Sequence, residues 1–305
     1  MSVEIIGPEA EAHLDWRALT DALEAGHSLP RAEIGDTFLY RDPDTLLSRA
    51  AWIDGMGQLV KTATIFAGNK AAGKPTVNGA VNLYSDQDGT LDALVDFHLV
   101  TKWKTAGDSI LAARKLARPD SKTILIVGAG TVGRSLREAY GAIFPDARFL
   151  IWNRSPEGAA RFADTTLGVT AIDDLEAGVS QADIITCATM STEPLIKGEW
   201  LRAGQHLDLI GAYRPDMREA DDDAFGRARV FVDSRATTIG HIGELKIPLA
   251  TGVISEADIK ADYYDLPRGA FTRQSQEDIT LFKNGGGAHL DLMTARYILD
   301  AWRQR

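Results

Sequence analysis

Ile124-Leu125-Ile126-Val127-Gly128-Ala129-Gly130-Thr131-Val132-Gly133 is the stretch that decides the fold of this chain. Its four apolar residues form a buried-strand pattern, three glycines follow in the spacing G-x-G-x-x-G, and Ser135-Leu136-Arg137-Glu138-Ala139-Tyr140 continues as a helix. In that context the first glycine makes a tight turn, the second leaves room for a pyrophosphate, and the third lets the helix pack closely on the strand. The amino end of the helix then presents free N–H groups and a positive dipole end to an anion. A glycine turn that binds nothing is the alternative, and the strand before and helix after argue against it. Gly128, Ala129, Gly130, Thr131, Val132 and Gly133 are therefore the candidate phosphate-binding residues.

The pattern extends outward from this turn. After the breaker Arg118-Pro119-Asp120-Ser121, strand-like and helix-like runs alternate: Thr123 to Val127, Ser135 to Ile143, Arg148 to Trp152, Gly158 to Phe162, Ile184 to Ala188 and His206 to Ile210. Alternation of this kind predicts a parallel sheet, so the chain reads as α/β with a Rossmann dinucleotide-binding domain. Upstream, Glu9 to Leu23 has an acidic helical pattern and Asp36 to Tyr40 reads as a strand. Short apolar runs from Thr45 to Leu83, separated by turns, read as further strands. A helix is predicted from about Leu99 to Ala117, where Leu99, Trp103, Ala106, Ile110, Ala113 and Leu116 recur at helical spacing. This first region is an α+β domain. A last helix, His289 to Trp302, follows the glycine run at Asn284 to Gly287 and on periodicity alone fits either domain.

The end of the second Rossmann strand selects between the nicotinamide cofactors. An acid there would bond the ribose 2′-hydroxyl, whereas a 2′-phosphate needs cations. The sequence reads Asn153-Arg154-Ser155, with no acid and one guanidinium, which predicts NADP(H), with NAD(H) as the alternative. A solvated surface arginine is the other reading of Arg154.

Composition narrows the partners. The 305 residues are 45% hydrophobic and 25% charged, as in an ordinary folded protein, and that length favours two domains. A net charge of −10 opposes attraction to nucleic acid or anionic lipid, so neither is expected as a partner. No targeting or membrane-spanning pattern is found, and Cys187 is the only cysteine, which excludes an intrachain disulfide and a cysteine-rich metal site. A cytoplasmic location without a metal is expected.

Together with the glycine turn and Asn153-Arg154, several segments resemble the ornithine cyclodeaminase and mu-crystallin family. They are Val60-Lys61-Thr62, Gly73-Lys74-Pro75-Thr76-Val77, Lys104-Thr105-Ala106, Thr192-Glu193-Pro194, the run Gly211 to Glu219, and Phe282-Lys283-Asn284-Gly285. The resemblance implies a substrate-binding and dimerisation domain, residues 1–118 with 285–305, beside the Rossmann domain, residues 119–284, and a homodimer. It also implies an imino or amino acid as substrate. By the same resemblance Arg31 would hold the substrate carboxylate and Lys61 would stand at the reacting carbon, with Lys104 as a further substrate contact. Tyr213 and Gly286 would lie by the cofactor, the glycine run falling close to the nicotinamide. Lys104 replaces an arginine fork with a point charge. Arg49 stands where relatives often carry an apolar residue, and it is either a contact for a second carboxylate or a structural ion-pair partner. Tyr213 stands where the cyclodeaminases carry an aspartate, so redox-neutral cyclisation lacks its general base.

These features predict NADPH-dependent reduction of a small 2-imino acid, with Δ1-pyrroline-2-carboxylate to L-proline favoured. Alanine dehydrogenase or an iminosuccinate-type reductase, a cyclodeaminase, and a non-enzymatic NADPH-binding protein are the alternatives.

Overall fold

The computed structural model describes residues 3–305. The chain forms two compact units, one of residues up to Lys104 together with Gly286–Arg305, the other Thr105–Gly285. In the first unit β1 (Glu4–Ile6) and helix α1 (Trp16–Gly26) precede an antiparallel meander of β2 (Glu33–Arg41), β3 (Asp44–Ile53), β4 (Gly57–Ile65), β5 (Val77–Tyr84) and β6 (Leu91–Asp96). The sheet order is β1-β6-β5-β4-β3-β2, with β1 parallel to β6. The β3–β4 turn is sharp because Gly55 and Gly57 adopt φ of +86° and +108°, which glycine reaches without strain.

Asp96 ends β6 and starts helix α2 (Phe97–Leu116), its carboxylate accepting from Leu99 N at 2.7 Å. The division between units falls within α2, whereas the sequence placed it after residue 118. A proline linker marks where a helix ends, and a 20-residue helix can still be divided between two cores.

The second unit contains β7 (Thr123–Val127), α3 (Thr131–Ile143), β8 (Arg148–Trp152), α4 (Pro156–Asp164), β9 (Val169–Ala171), α5 (Leu175–Gln181), β10 (Ile184–Cys187) and β11 (His206–Leu209). It continues with α6 (Asp222–Arg227), β12 (Arg229–Val232), α7 (Arg235–Thr238), α8 (Gly243–Ala250), β13 (Ile259–Ala261) and β14 (Thr280–Lys283). The order β13-β12-β14-β11-β10-β7-β8-β9 is parallel throughout, and the buried faces of these strands supply its core. Successive strands pass from β7 to β8 and β9 on one side and to β10 and β11 on the other. This reversal beside β7 is the crevice where open parallel sheets take their ligands. The chain then returns to the first unit as α9 (Ala288–Arg303), which packs on β3, β2, β4 and α1. No helix among the described residues is long and apolar enough to cross a membrane.

Candidate active site

In the first unit, strand periodicity places a lysine among apolar residues. Gly57, Leu59, Lys61 and Ala63 alternate onto the buried face of β4. Cross-strand register sets Asp36 of β2 opposite Arg49 of β3, and Arg49 opposite Lys61 of β4. Two cations directly opposite each other on a sheet repel. The charge that offsets them comes from α9: Asp291, fully buried in its first turn, lies 2.8 Å from Lys61 Nζ and 3.6 Å from an Arg49 nitrogen. The positive amino end of α9 favours an anion at that position.

Lys61 donates to Asp291 Oδ1 and to Thr101 Oγ1, each at 2.8 Å, and its ammonium sits 4.7 Å from the centre of the Phe97 ring. The Thr101 hydroxyl donates to Phe97 O at 2.7 Å, so toward Lys61 it is an acceptor. With two N–H bonds committed, the ammonium has one left. Burial lowers the Lys61 pKa from 10.5; Asp291 opposes this, Lys104 and Arg49 add to it, and the net value is about 8. Burial alone would raise the Asp291 carboxyl, but Lys104, Lys61 and Arg49 together hold it at about 2.

Arg49 is engaged on two sides. Its Nε and one terminal nitrogen donate to both oxygens of Asp36 at 3.2 and 2.7 Å, and the other terminal nitrogen donates to Gly286 O at 2.9 Å. Lys104, buried, donates to the same carbonyl at 3.0 Å. Gly286 has φ +68°, a left-handed backbone that aims this oxygen at the two cations. Arg31 is exposed in the loop after α1, and its charge acts on His27, whose pKa burial lowers to about 4. His27 meets His289 of α9 edge to face at 5.3 Å, and burial holds His289 well below its ordinary value, with His27 and Lys104 pushing the same way. The first unit therefore gathers Lys61, Lys104, Arg49 and Gly286. Asp291, Thr101 and Asp36 were not singled out by sequence. The signal for Asp291 was an acid inside a helix otherwise largely apolar, and the register that exposes its role is invisible in the sequence.

In the second unit the glycine turn has the shape that a dinucleotide phosphate needs. A Cβ on Gly133 would fall 2.3 Å from Gly128 O, whereas one on Gly130 would meet nothing within 4 Å. The backbone is thus packed behind the turn and open in front of it, at the amino end of the 13-residue helix α3, whose first turn has no acid. Asn153 braces the turn: its Oδ1 accepts from Ala129 N at 3.1 Å and its amide donates to Ser155 O at 3.1 Å. Ser155 caps α4 through Gly158 N at 3.2 Å. Arg154, between them, is exposed and has no hydrogen-bond or ion-pair partner among the described residues. Tyr213 is 60% exposed in the turn after β11, with the Arg214 guanidinium 5.8 Å from its ring centre. These residues fit a nicotinamide dinucleotide.

A parallel Rossmann sheet with such a turn, in a chain that also buries a lysine paired with a carboxylate, is the framework of a nicotinamide-dependent oxidoreductase. The Ornithine cyclodeaminase/mu-crystallin family profile matches residues 54–305. Delta(1)-pyrroline-2-carboxylate reductase of Paracoccus denitrificans is 52% identical over 296 residues, covering 95% of this chain and 94% of that protein. Ketimine reductase mu-crystallin of Mus musculus is 34% identical over 243 residues, covering 79% and 75%. The structure of Thermococcus litoralis Delta(1)-pyrroline-2-carboxylate reductase in complex with NADH and L-proline has the same fold, with a TM-score of 0.89 at 24% identity and coverage of 99% and 98%. The chain belongs to the ornithine cyclodeaminase/mu-crystallin family.

Proposed function

We propose that this chain reduces a small 2-imino acid to the L-amino acid, with Δ1-pyrroline-2-carboxylate to L-proline as its reaction and NADPH as reductant. The observation that carries the reading is the buried Lys61 ammonium, paired with Asp291 and keeping one N–H uncommitted. Reducing a C=N bond requires a hydride at carbon and a proton at nitrogen, and the nicotinamide supplies the hydride when bound. Lys61 stabilises the charge that develops and handles the proton. Arg31 and Lys104 take the substrate carboxylate, which a surplus of cations favours. The 52% identity to a reductase of this substrate supports the choice.

Arg49 separates the neighbouring reactions. Three of its five N–H groups are taken, two by Asp36 as a bidentate pair and one by Gly286 O, so it is already engaged as a structural brace. This supports a monocarboxylate over an iminosuccinate-type substrate. Tyr213 in place of an acid supports reduction over cyclodeamination. Gly128 to Gly133 hold the pyrophosphate, Asn153 and Ser155 shape the adenosine end, Arg154 meets the 2′-phosphate, and Tyr213 and Gly286 border the cofactor.

The chain acts as a homodimer in the cytoplasm. Support for the dimer comes from β2, exposed along its whole length, with Ile34 41%, Phe38 46% and Tyr40 76% exposed on one face and Leu39 61% exposed on the other, apolar surface that water disfavours. The single cysteine fits a reducing compartment.

A steady-state screen following NADPH absorbance tests the reading, using cyclic imino acids, pyruvate with ammonia, and oxaloacetate with ammonia. The cyclic five-membered imine is expected to give the highest kcat/KM. A higher value with oxaloacetate and ammonia, or no turnover of any imine, overturns it.

A further inference from the structure

Glu219, fully buried between β11 and α6, takes no part in the proposed reaction, yet it reaches the dinucleotide turn through its contacts. Its Oε1 accepts from Thr189 N and Thr189 Oγ1, and its Oε2 from Gly211 N, all at 2.7 Å. Thr189 follows β10 and Gly211 follows β11, so one carboxylate joins the carboxyl ends of adjacent parallel strands. The two turns touch: a Cβ on Gly211 would fall 1.6 Å from Thr189 O, a space no side chain fits. Thr189 bears in turn on Gly128, where a Cβ would lie 2.7 Å from Ala188 O and 3.3 Å from Thr189 Cγ2.

We propose that Glu219 is a positioning residue for dinucleotide binding, holding Thr189 and Gly211 together so that the Gly128 turn keeps its shape. All three partners are donors, so an ionised carboxylate satisfies them, whereas an amide would turn its NH2 toward an N–H on one side. The inference rests on binding of the nicotinamide dinucleotide and is independent of the substrate.

The charged and titratable groups around it give the clamp a pH response. Glu244 of α8 accepts from Glu219 N at 2.8 Å and Ala220 N at 3.1 Å. Lys283, buried at the end of β14, donates to Leu209 O at 3.0 Å. The buried Cys187 thiol lies on β10, and Arg218 pairs with Asp222 at 2.7 Å. Burial raises the Glu219 carboxyl, Lys283 opposes this, Glu244 adds to it, and the balance lies at about 8. The clamp therefore becomes a full acceptor as pH rises through that region. Removing the Glu244 charge shifts the change to lower pH.

Fluorescence titration of the full chain with NADPH, and in parallel with NADH, from neutral to alkaline pH tests this. Wild-type affinity should tighten as pH rises through the region of about 8. Glu219→Gln should weaken binding of both nucleotides by about tenfold or more and flatten the pH profile. Glu244→Gln should have its transition at lower pH; because its NH2 would face one of the two N–H groups that Glu244 now accepts from, the position of the transition on the pH axis, and not the affinity, is its readout. Melting of the nucleotide-free variants checks that each is folded. Thr189→Val, which removes only the hydroxyl bond, should weaken NADPH about threefold and stands in if Glu219→Gln fails to fold. A folded Glu219→Gln with wild-type affinity and pH profile, an unmoved transition in Glu244→Gln, or wild-type binding by Thr189→Val overturns the proposal.

Discussion

Lys61 of β4 and Asp291 of α9 meet at 2.8 Å with both side chains buried, so the protonation state of the lysine is tied to a carboxylate 230 residues away in sequence. An anion beside an ammonium favours the protonated form, and burial and neighbouring cations oppose it. In the free enzyme the balance lies at about 8. If the protonated lysine is the active form, kcat/KM for the imino acid should be full below that value and fall as pH rises through it. Removing the anion makes the proton easier to lose, so Asp291→Asn should move the falling limb to lower pH. Substrate ionisation is common to both enzymes, and the difference between their profiles isolates the pair. A limb unmoved in Asp291→Asn would separate the two residues functionally.

Lys61→Met keeps the aliphatic stem and removes the charge. It should lower kcat by about a hundredfold or more while leaving NADPH affinity near normal. Arg31→Ala should chiefly raise KM, because a carboxylate contact acts in ground and transition states alike. Removing one partner of a buried ion pair costs about 3–5 kcal/mol, an upper figure here because Lys104 and Arg49 still face Asp291, so each variant's melting curve must accompany its kinetics. Near-wild-type turnover by folded Lys61→Met would make the lysine structural.

Arg154, exposed and without a protein partner among the described residues, is the residue proposed to meet a 2′-phosphate. Arg154→Ala should weaken NADPH about tenfold to a hundredfold and scarcely change NADH, since a charge-assisted contact is lost only with the phosphorylated cofactor. Equal losses for both cofactors, measured by fluorescence titration, would contradict the assignment.

The exposed apolar side chains of β2 should be covered by a second copy. Phe38→Glu with Tyr40→Glu should shift the mass measured by light scattering from dimer to monomer while the fold, followed by circular dichroism, persists. A wild-type chain already monomeric at working concentration rules the dimer out.

Much of the second unit was legible because its signals are local. The apolar strand, the glycine spacing and the following helix are contiguous from Ile124 to Tyr140, and a parallel sheet alternates its elements along the chain. Lys61 was noticeable as a cation in an apolar strand, and Arg31, Lys104 and Tyr213 through family resemblance. Asp291 was not, because its meaning depends on α9 returning to the sheet and on the register that sets Arg49 beside Lys61. The ion pair of Arg49 with Asp36 was hidden too, because it depends on Asp36 lying opposite Arg49, and a one-residue slip in pairing would have put Asp36 on the other face. The division within α2 was hidden for a similar reason: helical periodicity does not say which core each turn joins.

The most direct measurement of the central claim is the product balance with Δ1-pyrroline-2-carboxylate and NADPH, set beside an incubation with L-ornithine and a catalytic amount of NAD. One L-proline formed for each NADPH oxidised, with neither proline nor ammonia from ornithine, is the predicted result. Proline and ammonia from ornithine in equal amounts, without net consumption of the cofactor, would contradict it.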